Sequence, residues 1–78
     1  MKAQIEYTDT FGGEANYSWC ERHEFDCTGM TDVQIMRKAK RLCNLSGVLG
    51  KVQRIGDTTE FRPYGMCTVL FITIQEPL

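Results

Sequence analysis

The stretch "DTFGGEANYSW" (Asp9–Trp19) places two adjacent glycines between two segments of strand-like sequence. Before it, Lys2–Thr8 alternates polar and apolar residues, which is the period of a half-buried strand. Glycine adopts positive φ without steric cost, so Gly12-Gly13 lets the chain reverse. The apolar residues expected on one side of the following extended segment are Ala15, Tyr17, Trp19 and Phe25. The sequence therefore predicts that the chain begins with a two-stranded hairpin.

One helix is predicted after this hairpin. Thr31 precedes Gln34 by three residues, the spacing of a capping box in which each side chain satisfies the backbone of the other. The apolar face expected for the helix consists of Ile35, Met36, Ala39, Leu42 and Cys43. Ser46-Gly47 is predicted to end the helix, because glycine commonly follows a helix C-terminus.

The remaining sequence predicts three more strands. Val48–Ile55 and Thr58–Arg62 flank Gly56-Asp57, a tight-turn pair, and Pro63–Gly65 forms the next turn. Cys67–Ile74, "CTVLFITI", is apolar on both alternations and so is expected at the covered centre of a sheet. The prediction is a single α+β domain over residues 1–78, with one antiparallel sheet of about five strands, one helix packed across it, and the order ββαβββ.

Charge is distributed unevenly along the chain, although the formal net charge is only −1. Residues 1–32 contain seven acidic and two basic residues, whereas residues 33–62 contain seven basic and two acidic residues. Opposite charges could simply interleave on the folded surface. Alternatively, each half could present a surface of one sign to a partner.

The sequence predicts no catalytic residues, no metal and no cofactor. Cys20, His23 and Cys27 resemble a metal-ligand cluster, but positions 20 and 23 of an extended strand face opposite sides. The chain opens without a charged and apolar export signal, so reduced cysteines are expected. Its longest nearly apolar run, Val69–Ile74, is too short for a membrane span.

The residue pattern favours a binding function over catalysis. The predicted basic helical face could contact nucleic-acid phosphates, or could simply be solvated; it consists of Arg37, Lys38, Lys40 and Arg41. Aromatic side chains could stack on bases if they face outward, or could belong to the core; they are Tyr7, Phe11, Tyr17 and Trp19.

Three segments carry a resemblance to a family. The segments are "YTDTFGGEANYSW" (Tyr7–Trp19), "VQIMRKAKRLCNLSG" (Val33–Gly47) and "FRPYGMCTVLF" (Phe61–Phe71). They resemble a group of small phage and prophage proteins. This group includes an anti-CRISPR inhibitor of type I systems, and the type indicated is I-C. The likeness covers most of the chain. Cys20 and Cys27 depart from it, because the similar proteins are not cysteine-rich.

The resemblance implies a non-enzymatic, phage-encoded inhibitor that acts in the host bacterial cytoplasm by binding the RNA-guided surveillance complex (Cascade). The sequence is compatible with either a monomer or a homodimer. Such a complex binds DNA through cationic surfaces, so acidic side chains could occupy one as a DNA mimic. The predicted contacts are Asp9, Glu14, Glu21, Glu24 and Asp26. The alternative is a phage accessory protein that binds nucleic acid through the basic helical face.

Overall fold

The computed structural model describes residues 1–76 and contains five strands and one helix. These elements are β1 (Lys2–Phe11), β2 (Glu14–Asp26), α1 (Asp32–Leu42), β3 (Gly50–Ile55), β4 (Thr58–Pro63) and β5 (Thr68–Gln75). The order ββαβββ and the α+β class are confirmed.

All five strands form one antiparallel sheet in the order β2-β1-β5-β4-β3. β1 and β5, which are far apart in sequence, pair at its centre from Lys2 opposite Gln75 to Asp9 opposite Thr68. Consecutive Val69 and Leu70 of β5 are both fully buried, so the strand is covered on both faces at that point, while Phe71 and Thr73 farther along are half-buried. The prediction of a central, well-covered final strand is confirmed.

The core lies between α1 and one face of the sheet. Ile35 and Ala39 of the helix are buried against the sheet residues. The buried apolar residues of the sheet that belong to this core are Ala3, Ile5, Tyr7, Phe61, Leu70 and Ile72. The opposite sheet face, called here the open face, carries no helix in the described part of the chain.

The helix begins as predicted but ends earlier. Thr31 Oγ1 accepts from the amide of Gln34 at 3.2 Å, and Gln34 Oε1 accepts from the amide of Thr31 at 2.9 Å, so the capping box is confirmed. The prediction that Ser46-Gly47 ends the helix is wrong. Asn44 takes the left-handed conformation (φ 59°), and the Leu45 amide then bonds back to the Lys40 carbonyl at 2.7 Å.

The first hairpin contains an insertion that the sequence analysis did not predict. Gly12 and Gly13 form its turn with φ of 63° and 85°, as expected. However, the β1–β2 register shifts from Thr8 opposite Cys20 to Thr10 opposite Ala15, so the four residues 16–19 lie opposite Asp9 alone. We call these four residues the bulge.

The aromatic residues of β2 consequently do not share one face, and the prediction that they do is wrong. Trp19 packs edge-to-face on Tyr7 at the helix side, with ring centroids 5.3 Å apart. Tyr17, which has φ of 55°, instead lies beside Glu6 and Arg22 on the open face. The extra residues of the bulge break the two-residue alternation on which the prediction rested.

Candidate interaction surfaces

The predicted acidic contacts follow β2, which is an edge strand, and do not form a single patch. Glu24 lies opposite Gln4 on the open face, and Glu21 lies opposite the core residue Tyr7 and therefore faces the helix side. Glu14 is exposed beside the glycine turn. We call Glu14, Glu21, Glu24 and Asp26 the acidic edge.

Most carboxylates of this edge have neighbours that stabilise their charged form. Lys2 Nζ lies 3.0 Å from Glu24 and lowers the pKa of that carboxyl group, chiefly through a hydrogen bond. The hydroxyl of Thr28 donates to Asp26 at 2.6 Å and lowers its pKa likewise. These carboxylates are exposed and ionised at neutral pH, so they remain available to a cationic partner.

Asp9, the fifth predicted contact, organises the bulge. Its carboxylate accepts from the Ser18 hydroxyl at 2.6 Å, the Ser18 amide at 3.0 Å and the Asn16 side chain at 3.0 Å. These hydrogen bonds, with that of the Ser18 hydroxyl the largest, lower the pKa of Asp9 to about 2. Asp9 therefore holds backbone and side chains of its own chain together.

The predicted basic residues divide into two pairs. Lys38 and Lys40 lie over the rings of Phe25 and Phe61, at 4.7 and 4.8 Å from the centroids. Lys40 also donates to the Val48 carbonyl and so ties the helix to the loop that follows it. The ammonium group of Lys40 therefore makes its contacts within the fold. Arg37 and Arg41 are the cations of this helix face that are more available to a partner.

Arg37 and Arg41 border a groove between α1 and the β3–β4 side of the sheet, which we call the basic groove. It encloses about 850 Å³. Its apolar lining includes Val33, Met36, Val52, Ile72 and Ile74. Arg54 borders it from β3 and lies 3.7 Å from Asp32 at the start of the helix. Arg54 was not predicted as a site residue, because only the sheet order brings β3 beside this helix face.

A third group of polar side chains gathers at the opposite side of the helix. Nε2 of His23 lies 2.9 Å from Oε2 of Glu21, and the thiol of Cys43 lies close to both side chains. One ligand atom from each residue lies within 4.8 Å of the others. Within residues 1–76 this is the one such group of possible metal ligands, and we call it the Glu21–His23–Cys43 cluster.

The structure separates the residues that the sequence suggested as a weak metal cluster. Cys20 lies opposite Thr8 and His23 opposite Ile5, so the two point to opposite faces of the sheet, as expected. All four cysteines are free thiols, and Cys43 is 6% exposed. Burial, reinforced by the Glu21 carboxylate, raises the pKa of Cys43 to about 12, whereas an activated nucleophile needs a lowered thiol pKa.

No helix within residues 1–76 is long and apolar enough to cross a bilayer. Comparison with protein-family models, curated proteins and solved structures finds no match to this chain.

Proposed function

We propose that this chain is a non-enzymatic, phage-encoded inhibitor that binds the type I-C surveillance complex in the host bacterial cytoplasm and blocks recognition of target DNA. The similarity of the three quoted segments to small phage proteins supports this role. The observation that carries the mechanism is that four of the five predicted acidic contacts lie on β2, the edge strand of the sheet, although they point to both of its faces.

A line of carboxylates suits a surface that normally holds a nucleic-acid backbone. The protein is 36 Å long in its longest dimension. The four carboxylates of the acidic edge are spread along the 13 residues of β2, a contour length of about 40 Å at about 3.3 Å per residue, whereas one DNA strand carries a charge about every 3.4 Å. The acidic edge thus offers about a third of the linear charge density of a DNA strand, so hydrogen bonds and apolar contacts must supplement its charge in any tight complex.

The cations beside the acidic edge do not prevent such binding. Lys2 pairs with Glu24 at 3.0 Å and Arg22 with Glu6 at 3.7 Å, and the side chains of Lys2 and Arg22 are about two-thirds exposed. Exposed ion pairs contribute little to stability and are screened by salt. A fixed cationic surface on a partner can therefore compete with them.

The inhibitor role is tested by phage plaquing on a host with an active type I-C system, with and without expression of this protein. Restored plaquing is expected, and plaquing that stays suppressed despite expression contradicts the role. A host lacking the CRISPR-Cas system is the control, because the protein should not alter plaquing there.

The DNA-mimic surface is tested by binding of the purified surveillance complex to charge-reversed variants. Glu14→Lys combined with Glu24→Lys is expected to weaken binding about 30-fold or more if these contacts are buried in the complex. The matched control is Arg37→Glu with Arg41→Glu, which reverses two charges on the basic groove. If only the control variant loses binding, the mimic mechanism is wrong and the basic groove is the interface.

A second candidate function is direct nucleic-acid binding through the basic groove. The specific observation in its favour is that Arg54 joins Arg37 and Arg41 around one groove. Binding to phosphates would weaken steeply as salt concentration rises. Titration of labelled DNA and RNA at two salt concentrations separates this candidate from the inhibitor, because the inhibitor needs no affinity for free nucleic acid.

A further inference from the structure

The geometry points to a zinc-binding site formed by Glu21, His23 and Cys43. The sequence alone predicts no metal site, because the cysteines nearest to His23 in the chain, Cys20 and Cys27, are not suitably placed to bind a metal together with it. The helix instead delivers Cys43 from 20 residues farther along the chain to the strand that carries His23. This inference is independent of the inhibitor function and concerns the isolated protein.

The backbone fixes the three positions before any metal is bound. Glu21 and His23 are two residues apart on β2, paired with Tyr7 and Ile5 of β1, so their side chains share one face. Cys43 is the C-cap of α1, and its amide is held by the carbonyls of Ala39 and Lys40 at 3.3 and 3.2 Å. Strand and helix therefore converge on the cluster from different sides.

The distances require only a small adjustment for zinc. Zinc binds nitrogen and oxygen at about 2.0–2.2 Å and sulfur at about 2.3 Å, so tetrahedral ligand atoms lie about 3.3–3.8 Å apart. The ligand atoms of the cluster lie within 4.8 Å of one another, and the Glu21–His23 pair is 2.9 Å apart. The side chains of Glu21 and His23 are 44% and 30% exposed, so they can rotate around the buried Cys43.

The chemistry of the donor set also fits zinc. Thiolate, imidazole and carboxylate are all common zinc ligands. One thiolate and one carboxylate neutralise the two positive charges of the ion, so the site has no net charge beside the core. Zinc binds the thiolate form of cysteine, so zinc binding at neutral pH displaces the thiol proton of Cys43 to solvent.

Three protein ligands leave the fourth tetrahedral position open. In structural zinc sites four protein ligands usually close the coordination sphere, whereas three leave room for water or a group from another molecule. Glu21 and His23 are partly exposed on the edge strand, so solvent or a group from another molecule can reach a metal bound there.

The test is titration of the reduced, full chain with zinc and, separately, with cobalt. Native mass spectrometry is expected to show one bound zinc, and cobalt binding is expected to give the absorbance of a cobalt–thiolate bond. Trp19, the chain's one tryptophan, packs on the Tyr7 that pairs with Glu21, so cobalt should also quench its fluorescence.

Variants assign the site. Cys43→Ser and His23→Gln are each expected to weaken zinc binding about 10-fold or more. Removing a group that only hydrogen-bonds a metal ligand already lowers metal affinity by about this factor. Cys67→Ser and Cys20→Ser are the matched controls, because they remove thiols outside the cluster and should leave binding unchanged. Glu21→Gln should weaken binding while leaving the cobalt–thiolate absorbance detectable at high cobalt concentration.

Circular dichroism of each metal-free variant shows whether it is folded. If Cys43→Ser, which changes a buried residue, does not fold, His23→Gln is the variant that tests the site. The inference is overturned if the wild type binds no zinc at micromolar concentration. It is equally overturned if folded His23→Gln binds zinc as the wild type does, or if a control variant abolishes binding.

Discussion

The β1–β2 and β3–β4 hairpins have the same kind of glycine turn but differ in how their strands pair. Each reverses at a turn that needs positive φ, at Gly12-Gly13 in the first and at Gly56 (φ 59°) in the second. The β3–β4 strands then pair in unbroken register from Ile55 opposite Thr58 to Gly50 opposite Pro63. In the β1–β2 hairpin the bulge interrupts the register after two pairs.

The difference shows how one side chain can replace ladder hydrogen bonds. In the first hairpin Asp9 supplies the acceptors for the bulge, which frees the backbone to turn Tyr17 and Trp19 to opposite faces. In the second hairpin the continuous ladder places Phe61 in the core. The two hairpins therefore both contribute to the core, but the turn end of the first is held by the polar contacts of Asp9 with Asn16 and Ser18.

Truncating one aromatic in each hairpin gives the largest expected contrast. Phe61→Ala should lower the free energy of unfolding by about 3–5 kcal/mol, because Phe61 is 2% exposed and also receives Lys40 over its ring. Trp19→Ala should cost about 1–2 kcal/mol, because Trp19 is 44% exposed and mainly loses its contact with Tyr7. Urea unfolding measures both.

Val52→Ala is the control for this pair, since Val52 is 57% exposed on β3 and its truncation should change stability by less than about 0.5 kcal/mol. An equal or larger loss in Trp19→Ala would contradict the contrast, because it would show that the bulge is anchored by burial.

Substitutions in the two turns should lower the stability of the protein by similar amounts, unlike the aromatic truncations in the two hairpins. Gly12→Val and Gly56→Val should each cost about 1–2 kcal/mol, because a side chain at these positive φ angles is strained. An added Cβ meets no atom within 4 Å at either site, so backbone strain is the whole cost. Thermal melts compare both with Gly12→Asn, which tolerates this conformation better. Unchanged melting temperatures of both valine variants would show that neither turn requires glycine at its positive φ position.

The smallest expected effect is an acid sensitivity confined to the bulged hairpin. The pKa of Asp9 is about 2 in the folded protein against an ordinary 3.8, so its contribution is complete above about pH 4 and is lost as the pH falls toward 2. Asp9→Asn should therefore lower the melting temperature at pH 5 and flatten its decline between pH 4 and pH 2. Melting curves across this range test both effects.

Ser18→Ala is the companion variant, because it removes the strongest hydrogen bond to Asp9 but keeps the carboxylate and the Ser18 amide. It should give an intermediate pH profile. Glu21, Glu24 and Asp26 also have lowered pKa values, so some acid sensitivity persists in every variant. A decline in Asp9→Asn as steep as in the wild type would show that the bulge does not depend on the ionised Asp9.

Local sequence patterns predicted the elements well. The Thr31–Gln34 capping box, the glycine turns and the apolar run of β5 each act within a few residues, so the sequence displays them directly. The helix end was placed wrongly because Asn44, a weaker signal than Gly47, adopts the left-handed conformation first. The bulge was missed because Asp9 acts across the hairpin on Ser18.

The candidate sites depend on contacts between elements, which periodicity does not reveal. Cys43 was correctly assigned to the buried helix face, but its approach to His23 requires the sheet order and the β1–β2 register. Arg54 reaches the basic groove only because β3 is the edge strand on that side of the helix. By contrast, the exposure of the acidic edge followed from its charged residue types alone.

The pairing of β1 with β5 also determines when and how the chain can fold. The two central strands are the first and last to be synthesised, so during translation either hairpin can form locally while the sheet stays split until β5 emerges. Lys2 and Gln75 finish side by side. We therefore expect a circular permutant, with Gln75 joined to Lys2 by a short linker and new termini opened at Gly12-Gly13, to keep the sheet. It should not fold faster, because the β1–β5 pairing becomes local while the β1–β2 pairing becomes the long-range closure.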